Sequence, residues 1–399
     1  MNRFIFSLIL WSLAMPAWAQ STEADYIKSG NEYYAQGDYD RALADYTKAI
    51  QLNPGDSAGP YNRGLCFYHK KDYDSSIQDL TQAIRIKPDH VQALVARGNA
   101  YDDKGDHDAA LRDYSEAIRI NPAYVSPYIE RGIAYDKYGD HDSAISDYTK
   151  AIQFDANNYR PYYGRGMAYK KKNDCDHAIK DFDDAVRLNP NHANAFLQRG
   201  LCYYDKKNLD QAIADFTQSY KLDSTSTAAL VARGNAYDDK GDRDKAIQDY
   251  SDALRIKPDD ASAFYNRGLA YRHKGDFDLA IKDYSDAIRL NPKYTSAFNN
   301  RGFAYDRQGK HDLAIADFTE ALRLKPDYQF AFFNRGKAYR EKGDYEGAIK
   351  DLNEALRINP NDAGALYQRG LAKQQNKDTA GGDADIAKAK QLDPNVARD

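Results

Sequence analysis

Beyond residue 18 the chain has no tryptophan, and its whole length holds only three cysteines and three methionines. So few cysteines cannot make a disulfide framework, which excludes the small stapled folds. After the amino-terminal run Phe4 to Met15 no segment is apolar enough to cross a membrane, and that run is short of the ~20 residues a spanning helix needs. Neither sign of charge dominates. Lys and Arg number 56 against 60 Asp and Glu, a net charge of −4, so the basic stripe of a nucleic-acid binder is missing. The eight histidines show no HExxH or other zinc spacing, and no phosphate-cradling glycine loop or nucleophile elbow is present. Metal, cofactor and catalytic chemistry find no support, and the chain reads as a non-enzyme.

The first nineteen residues stand apart from the rest. Arg3 supplies a positive start, Phe4 to Met15 an apolar stretch, and Pro16 precedes Ala17-Trp18-Ala19. That order is a secretory signal peptide with an A-x-A cleavage site, residues 1–19. Residue 20 is Gln rather than Cys, so lipid attachment is not expected. The mature chain is read as exported, periplasmic or secreted, without a transmembrane segment.

What the chain has in abundance is a period. Eleven glycines, from Gly30 through Gly64 and Gly98 to Gly370, lie 34 residues apart without a slip. A fixed period of this length marks one supersecondary unit stacked many times. With Glu23 as position 1, glycine is position 8 and position 11 is aromatic in ten repeats. Positions 20 and 27 are small, position 24 is Tyr, Phe, Leu or Ile, and position 32 is Pro in nine. Positions 4, 8 and 11 share one helical face, and 20, 24 and 27 another. A break such as Gly37-Asp38 separates the two faces and proline ends the second. Each unit is therefore a pair of short antiparallel helices. Residues 23–362 hold ten full units; 363–399 read as a degenerate closing repeat and tail, with Lys373 at the aromatic position and Gly381-Gly382 opening its second helix.

This pattern resembles the tetratricopeptide repeat (W-x2-L-G-x2-Y, then A-x3-F, then P) over residues 23–396. The resemblance implies an all-α, right-handed superhelical solenoid whose first helices line a concave groove. Position 7 departs from the family pattern: it is Arg in every repeat but the first, which has Ser29. Position 23 is Asp in all eleven. A ladder of ion pairs between packed helices is the plainer reading of the two columns than a charged ligand site. Because the first repeat has the Asp but no Arg, pairing is expected to run forward, Asp45 to Arg63 and on to Asp351 with Arg369, leaving Asp385 at the free end.

In the family, positions 2, 5, 9, 12 and 13 face the ligand. Carried onto this chain they give Tyr34, Tyr68, Asp102, Asp103, Asp136, Lys170, Tyr204, Asp238, Asp239, Arg272, Asp306 and Arg340 at positions 12 and 13. Tyr163 stands at position 5, and Asn31, Asn99 and Asn235 at position 9. The expected partner is a protein or extended peptide. A second reading, a glycan in envelope polysaccharide assembly or export, requires Tyr34, Tyr68, Tyr163 and Tyr204 to remain exposed as stacking platforms. Residues 93–106 and 229–242 are identical, four repeats apart, which points to duplication of a four-repeat block. Cys66 and Cys202 share position 10, a small-residue slot, and Cys175 opens a second helix. Buried thiols are one reading; a Cys175–Cys202 disulfide between helix ends is the other.

Overall fold

A computed structural model describes residues 21–397 of the 399-residue chain; the expected signal peptide, residues 1–19, lies outside them. Among the described residues there are 22 α-helices and no strand. They form eleven hairpins in register with the glycine period, from Glu23–Ala35 with Tyr39–Leu52 to Ala363–Gln375 with Thr379–Leu392. The expected all-α, paired-helix architecture is what the chain adopts. Two compact bodies are formed, one ending at Asn189 with five hairpins and one beginning at Pro190 with six. Within each body every helix packs on the next, and the first helices of successive repeats also touch.

The glycine column exists because an aromatic ring lies against it. A methyl carbon on Gly98 would sit 2.5 Å from Tyr114 Cε1, and one on Gly234 2.7 Å from Tyr250 Cε1. Even where position 24 is leucine the space is taken: a methyl carbon on Gly64 would lie 2.8 Å from Leu80 Cγ. These glycines are helical, so close approach rather than backbone freedom dictates them. The ring at position 24 is itself buried, as in Tyr114, Phe182 and Phe318, between alanines at positions 20 and 27 that are also buried. Full burial of such a side chain contributes about 2 kcal/mol. Position 10 of the following repeat closes the cluster: Cys66 packs on Ala42 and Tyr46.

The turn within each hairpin is a left-handed cap. The backbone N–H of Asp106 donates to the Tyr101 carbonyl at 2.8 Å across Gly105, whose φ is +97°, the six-to-one bond of a Schellman ending. Asp106 then starts the second helix, its carboxylate accepting from the N–H of Ala109 at 3.2 Å. The second helix ends on an extended residue, such as Lys87 before Pro88, as the proline ring demands.

Four repeats put a side chain where the turn wants glycine. Lys71, Asn173, Lys207 and Lys377 adopt φ between +60° and +71°. A β-carbon in this region costs about 1 kcal/mol. Lys71→Gly should therefore stabilise the second repeat by about 1 kcal/mol, read as slower amide exchange in Tyr73–Ile86; unchanged or faster exchange would refute the strain.

Candidate functional site

The two charged columns come together, but not as expected. In all ten repeats that carry the arginine, it forks onto the Asp of its own repeat with N–O distances of 2.6 to 2.9 Å. Arg63 pairs with Asp79, not Asp45, and Arg369 with Asp385, not Asp351. The forward pairing is thus corrected: position 7 of the first helix and position 23 of the second face each other across one hairpin. The link between repeats runs through a different atom. Within each body the arginine Nη1 donates to position 25 of the preceding repeat, as Arg63 to Thr47 Oγ1 at 3.2 Å and Arg233 to Thr217 Oγ1 at 3.1 Å. That hydroxyl can receive because its own proton goes back along its helix, Thr47 to the Leu43 carbonyl at 2.7 Å. Hydrogen bonding to Asp147 raises the pKa of Arg131, and the carboxylates of Asp79, Asp147 and Asp249 are buried.

The first repeat shows what the arginine does by lacking it. Asp45 keeps a buried Oδ2 with no hydrogen-bond partner.

Positions 12 and 13, expected to be the recognition surface, turn out to be mostly occupied with one another. Tyr68 gives its hydroxyl proton to Asp103 at 2.6 Å, and the duplicated pair, Tyr204 and Asp239, repeats the bond at 2.7 Å. Burial, then the neighbouring carboxylate, pushes both phenols above their usual range. Asp102 accepts from Lys137 Nζ at 2.9 Å and from Tyr138 Oη at 2.6 Å, and meets His107 Nδ1 at 3.2 Å. Burial opposes ionisation there, but the bonds from Tyr138, Lys137 and His107 hold the Asp102 carboxyl below its usual range. Asp136 takes Lys171 at 2.8 Å and His141 at 2.7 Å; Asp306 takes His311 at 2.7 Å; Asp238 faces His273 at 3.2 Å. Arg340 bonds Gln368 and Glu341. Tyr34 rests against Tyr39 and His69, and Tyr163 against Phe182, with centroids 5.5 to 6.0 Å apart. Lys170 is half-buried on the last turn of its helix, Tyr159–Lys171.

Two features escaped the sequence reading. Wherever position 12 is Asp, position 17 of the same repeat is His or Arg: Asp102 with His107, Asp136 with His141, Asp238 with Arg243, Asp306 with His311. That covariation marks the three histidines as polar partners of the position-12 aspartates. A second ladder joins Lys at position 14 to Asp at position 18 of the preceding repeat, as in Lys70–Asp40, Lys240–Asp210 and Lys342–Asp312.

Cys202 is fully buried in its small-residue slot and Cys175 stands half-buried at a helix start, each in a different body. Burial pushes the equivalent Cys66 thiol up to about 12, which makes it inert. Among the described residues no group of three His, Cys, Asp or Glu is arranged to hold a metal, and no helix is long and apolar enough to cross a membrane.

Cavities open along parts of the inner line of positions 2, 5 and 9. In the second body a cavity of about 320 Å³ is floored by Leu197, Leu201, Val231 and Ala232 and edged by Asn235, Asp260 and Ser262. In the first body Ala24, Ile27, Asn31 and Asp56 line one of about 560 Å³. The asparagines there are oriented from behind. Asn31, Asn99 and Asn235 each accept, through Oδ1, the hydroxyl of the position-24 tyrosine of their own repeat, at 2.7 to 2.8 Å. With the carbonyl so engaged, the N–H2 of each amide is the donor its side chain has left to offer.

Comparison with known proteins follows the same lines. Models described as tetratricopeptide repeat match residues 27–91, 163–227 and 231–295, residues 295–328 and residues 125–158, and one described as TPR repeat matches 98–139 and 336–377. No curated protein matches significantly. Among solved structures, the APC/C hetero-tetramer Cut9–Hcn1 aligns over 94% of this chain and 89% of that one at 18% identity and a TM-score of 0.50, a likeness of fold. YrrB, described as a TPR protein with an unusual peptide-binding site, is 25% identical over 50% of this chain and 99% of its own, with a TM-score of 0.42. Yeast Tom70 is 17% identical over 93% and 92%, with a TM-score of 0.41.

Supplying the missing arginine tests the network. Ser29→Arg should stabilise the first hairpin by about 1 kcal/mol, the net worth of a satisfied buried group, seen as slower amide exchange in Glu23–Leu52. No gain would mean that Asp45 costs nothing as it stands.

Proposed function

This chain belongs to the tetratricopeptide repeat family, and from that premise we propose that it is a non-enzymatic, exported scaffold. It holds a protein or extended-peptide partner along positions 2, 5 and 9 of its first helices. The observation that carries this reading is the set of oriented asparagines. An extended peptide offers a carbonyl at every residue and needs donors fixed in place, with an apolar floor beneath alternate side chains. Asn235 presents such a donor beside Leu197, Leu201 and Val231. Donors held by a tyrosine hydroxyl lose little freedom on binding, so more of the contact energy appears as affinity.

The tyrosines argue against the glycan alternative. Stacking on a sugar needs a free ring face, yet Tyr34, Tyr68, Tyr163 and Tyr204 are all half-buried, and the hydroxyls of Tyr68 and Tyr204 are committed to carboxylates. Export rests on the order of residues 1–19, and with it the expectation that the partner is an envelope or extracellular protein.

A photoreactive residue at Val231, in intact cells, should yield a discrete protein adduct. The same residue at Lys221, exposed on the second helix Leu209–Leu222, should yield none. Adducts of equal strength from both positions, or adducts containing carbohydrate alone, would contradict the groove reading.

A further inference from the structure

Where position 12 of one repeat meets position 13 of the next, the fold repeatedly supplies complementary partners: Tyr68 with Asp103, Asp102 with Lys137, Asp136 with Lys171, Tyr204 with Asp239, Asp238 with His273. At repeats 8 and 9 the same frame brings Arg272 and Arg307 together. Both guanidinium groups lie against one ring, with Cζ 5.3 Å and 6.0 Å from the centroid of Phe303, which is position 9 of the inner line. Among the described residues neither arginine has a carboxylate within 4 Å. Arg272 Nη2 reaches only His273 Nε2 at 3.1 Å, and the other nitrogen of that imidazole faces Asp238 at 3.2 Å. Its Nε is buried without an acceptor, and the Tyr284 hydroxyl, which feels the Arg272 charge, is also buried and unpartnered.

The duplicated block shows that the arrangement is a departure from the chain's own pattern. One block earlier, 136 residues back, the equivalents of Arg272 and Arg307 are Asp136 and Lys171, a closed pair further satisfied by His141. In the later block Asp has become Arg and the histidine has become Phe277. Like charges also fall in this frame at Asp306 and Glu341, but there each acid has its own polar partner, His311 and Arg340. At Arg272 and Arg307 the described residues provide no carboxylate. Both guanidiniums stack on Phe303, and Arg307 also on Phe277 with its Cζ 5.6 Å from that centroid; what is missing is an anion.

Guanidinium forks match planar oxyanions, and two forks side by side bind one far better than either alone. We propose that Arg272 and Arg307 receive an oxyanion carried by the peptide partner, an Asp or Glu carboxylate or a phosphorylated side chain. The proposal rests on the groove reading above and adds the charge that the partner carries opposite repeats 8 and 9. Phe303 joins this site to the inner line, so an extended peptide lying along that line passes it.

The test uses the full chain and fluorescein-labelled decapeptides alternating Gly with Glu, phosphoserine or Gln, at low salt. The Glu or phosphoserine peptide should bind at least tenfold more tightly than the Gln peptide, and which of the two does so identifies the oxyanion. Arg272→Gln with Arg307→Gln should erase the difference. Lys293→Gln with Lys310→Gln, which removes the same charge elsewhere in the second body, should keep it. Equal affinity for all three peptides overturns the anion site and leaves the groove reading standing. A preference that survives in the arginine double variant, or no binding by any peptide, overturns it as well. Binding of oligogalacturonate in place of every peptide overturns both this site and the peptide groove.

Discussion

A single guanidinium holds three helices together. Within each body the position-7 arginine stands on the first helix of its repeat, forks onto the position-23 aspartate of the second helix, and reaches back to the second helix of the preceding repeat, as Arg233 does to Asp249 and Thr217. Apolar packing brings these helices into contact but is tolerant of sliding. The fork is not, because two parallel bonds and a third at the remaining nitrogen define one geometry. Burying the pair is costly in solvation, and it persists because every polar atom of the fork finds a partner. The first repeat marks the limit of the rule, where an aspartate without its arginine is left with an orphaned oxygen.

That constraint separates structure from recognition. The Arg–Asp columns, the Lys–Asp ladder and most of the position-12 and position-13 residues are spent on joining repeats. A surface rich in charge is therefore less available to a ligand than its composition implies. Two things are left. The inner line carries apolar side chains and asparagines whose carbonyls are held by tyrosine hydroxyls, and one step of the ladder carries two arginines that nothing in the fold neutralises. The stability of the array and the specificity of its binding face thus draw on different residues, so the face can change without loosening the stack.

The hairpins were legible in the sequence because the ring-on-glycine contact leaves a mark at each repeat: nothing larger than Gly fits beneath Tyr114 or Tyr250. The Arg–Asp columns were equally plain, but their pairing was misread. The spacing from Arg to its own Asp is 16 residues and from Asp to the next Arg 18, and in a stack of hairpins both bring the groups near each other. The Thr or Ser that fills position 25 in eight repeats held the answer, since a hydroxyl there meets the arginine from behind and leaves the fork for its own hairpin. Positions 12 and 13 are the family's recognition surface, yet position 12 varies together with position 17, which is what paired polar side chains do. The tyrosines behind Asn99 and Asn235 could not be assigned from the sequence, because a buried ring is required at position 24 whether or not it carries a hydroxyl.

The claim that this arginine ties the array together is tested most directly at Arg233, by urea unfolding of the Arg233→Leu variant followed by amide exchange. Loss of one partner from a buried pair costs about 3 to 5 kcal/mol, so the variant should unfold early in repeats 6 and 7, and adding Asp249→Leu should restore much of the loss by removing the stranded charge. An Arg233→Leu protein as stable as its parent would contradict the account.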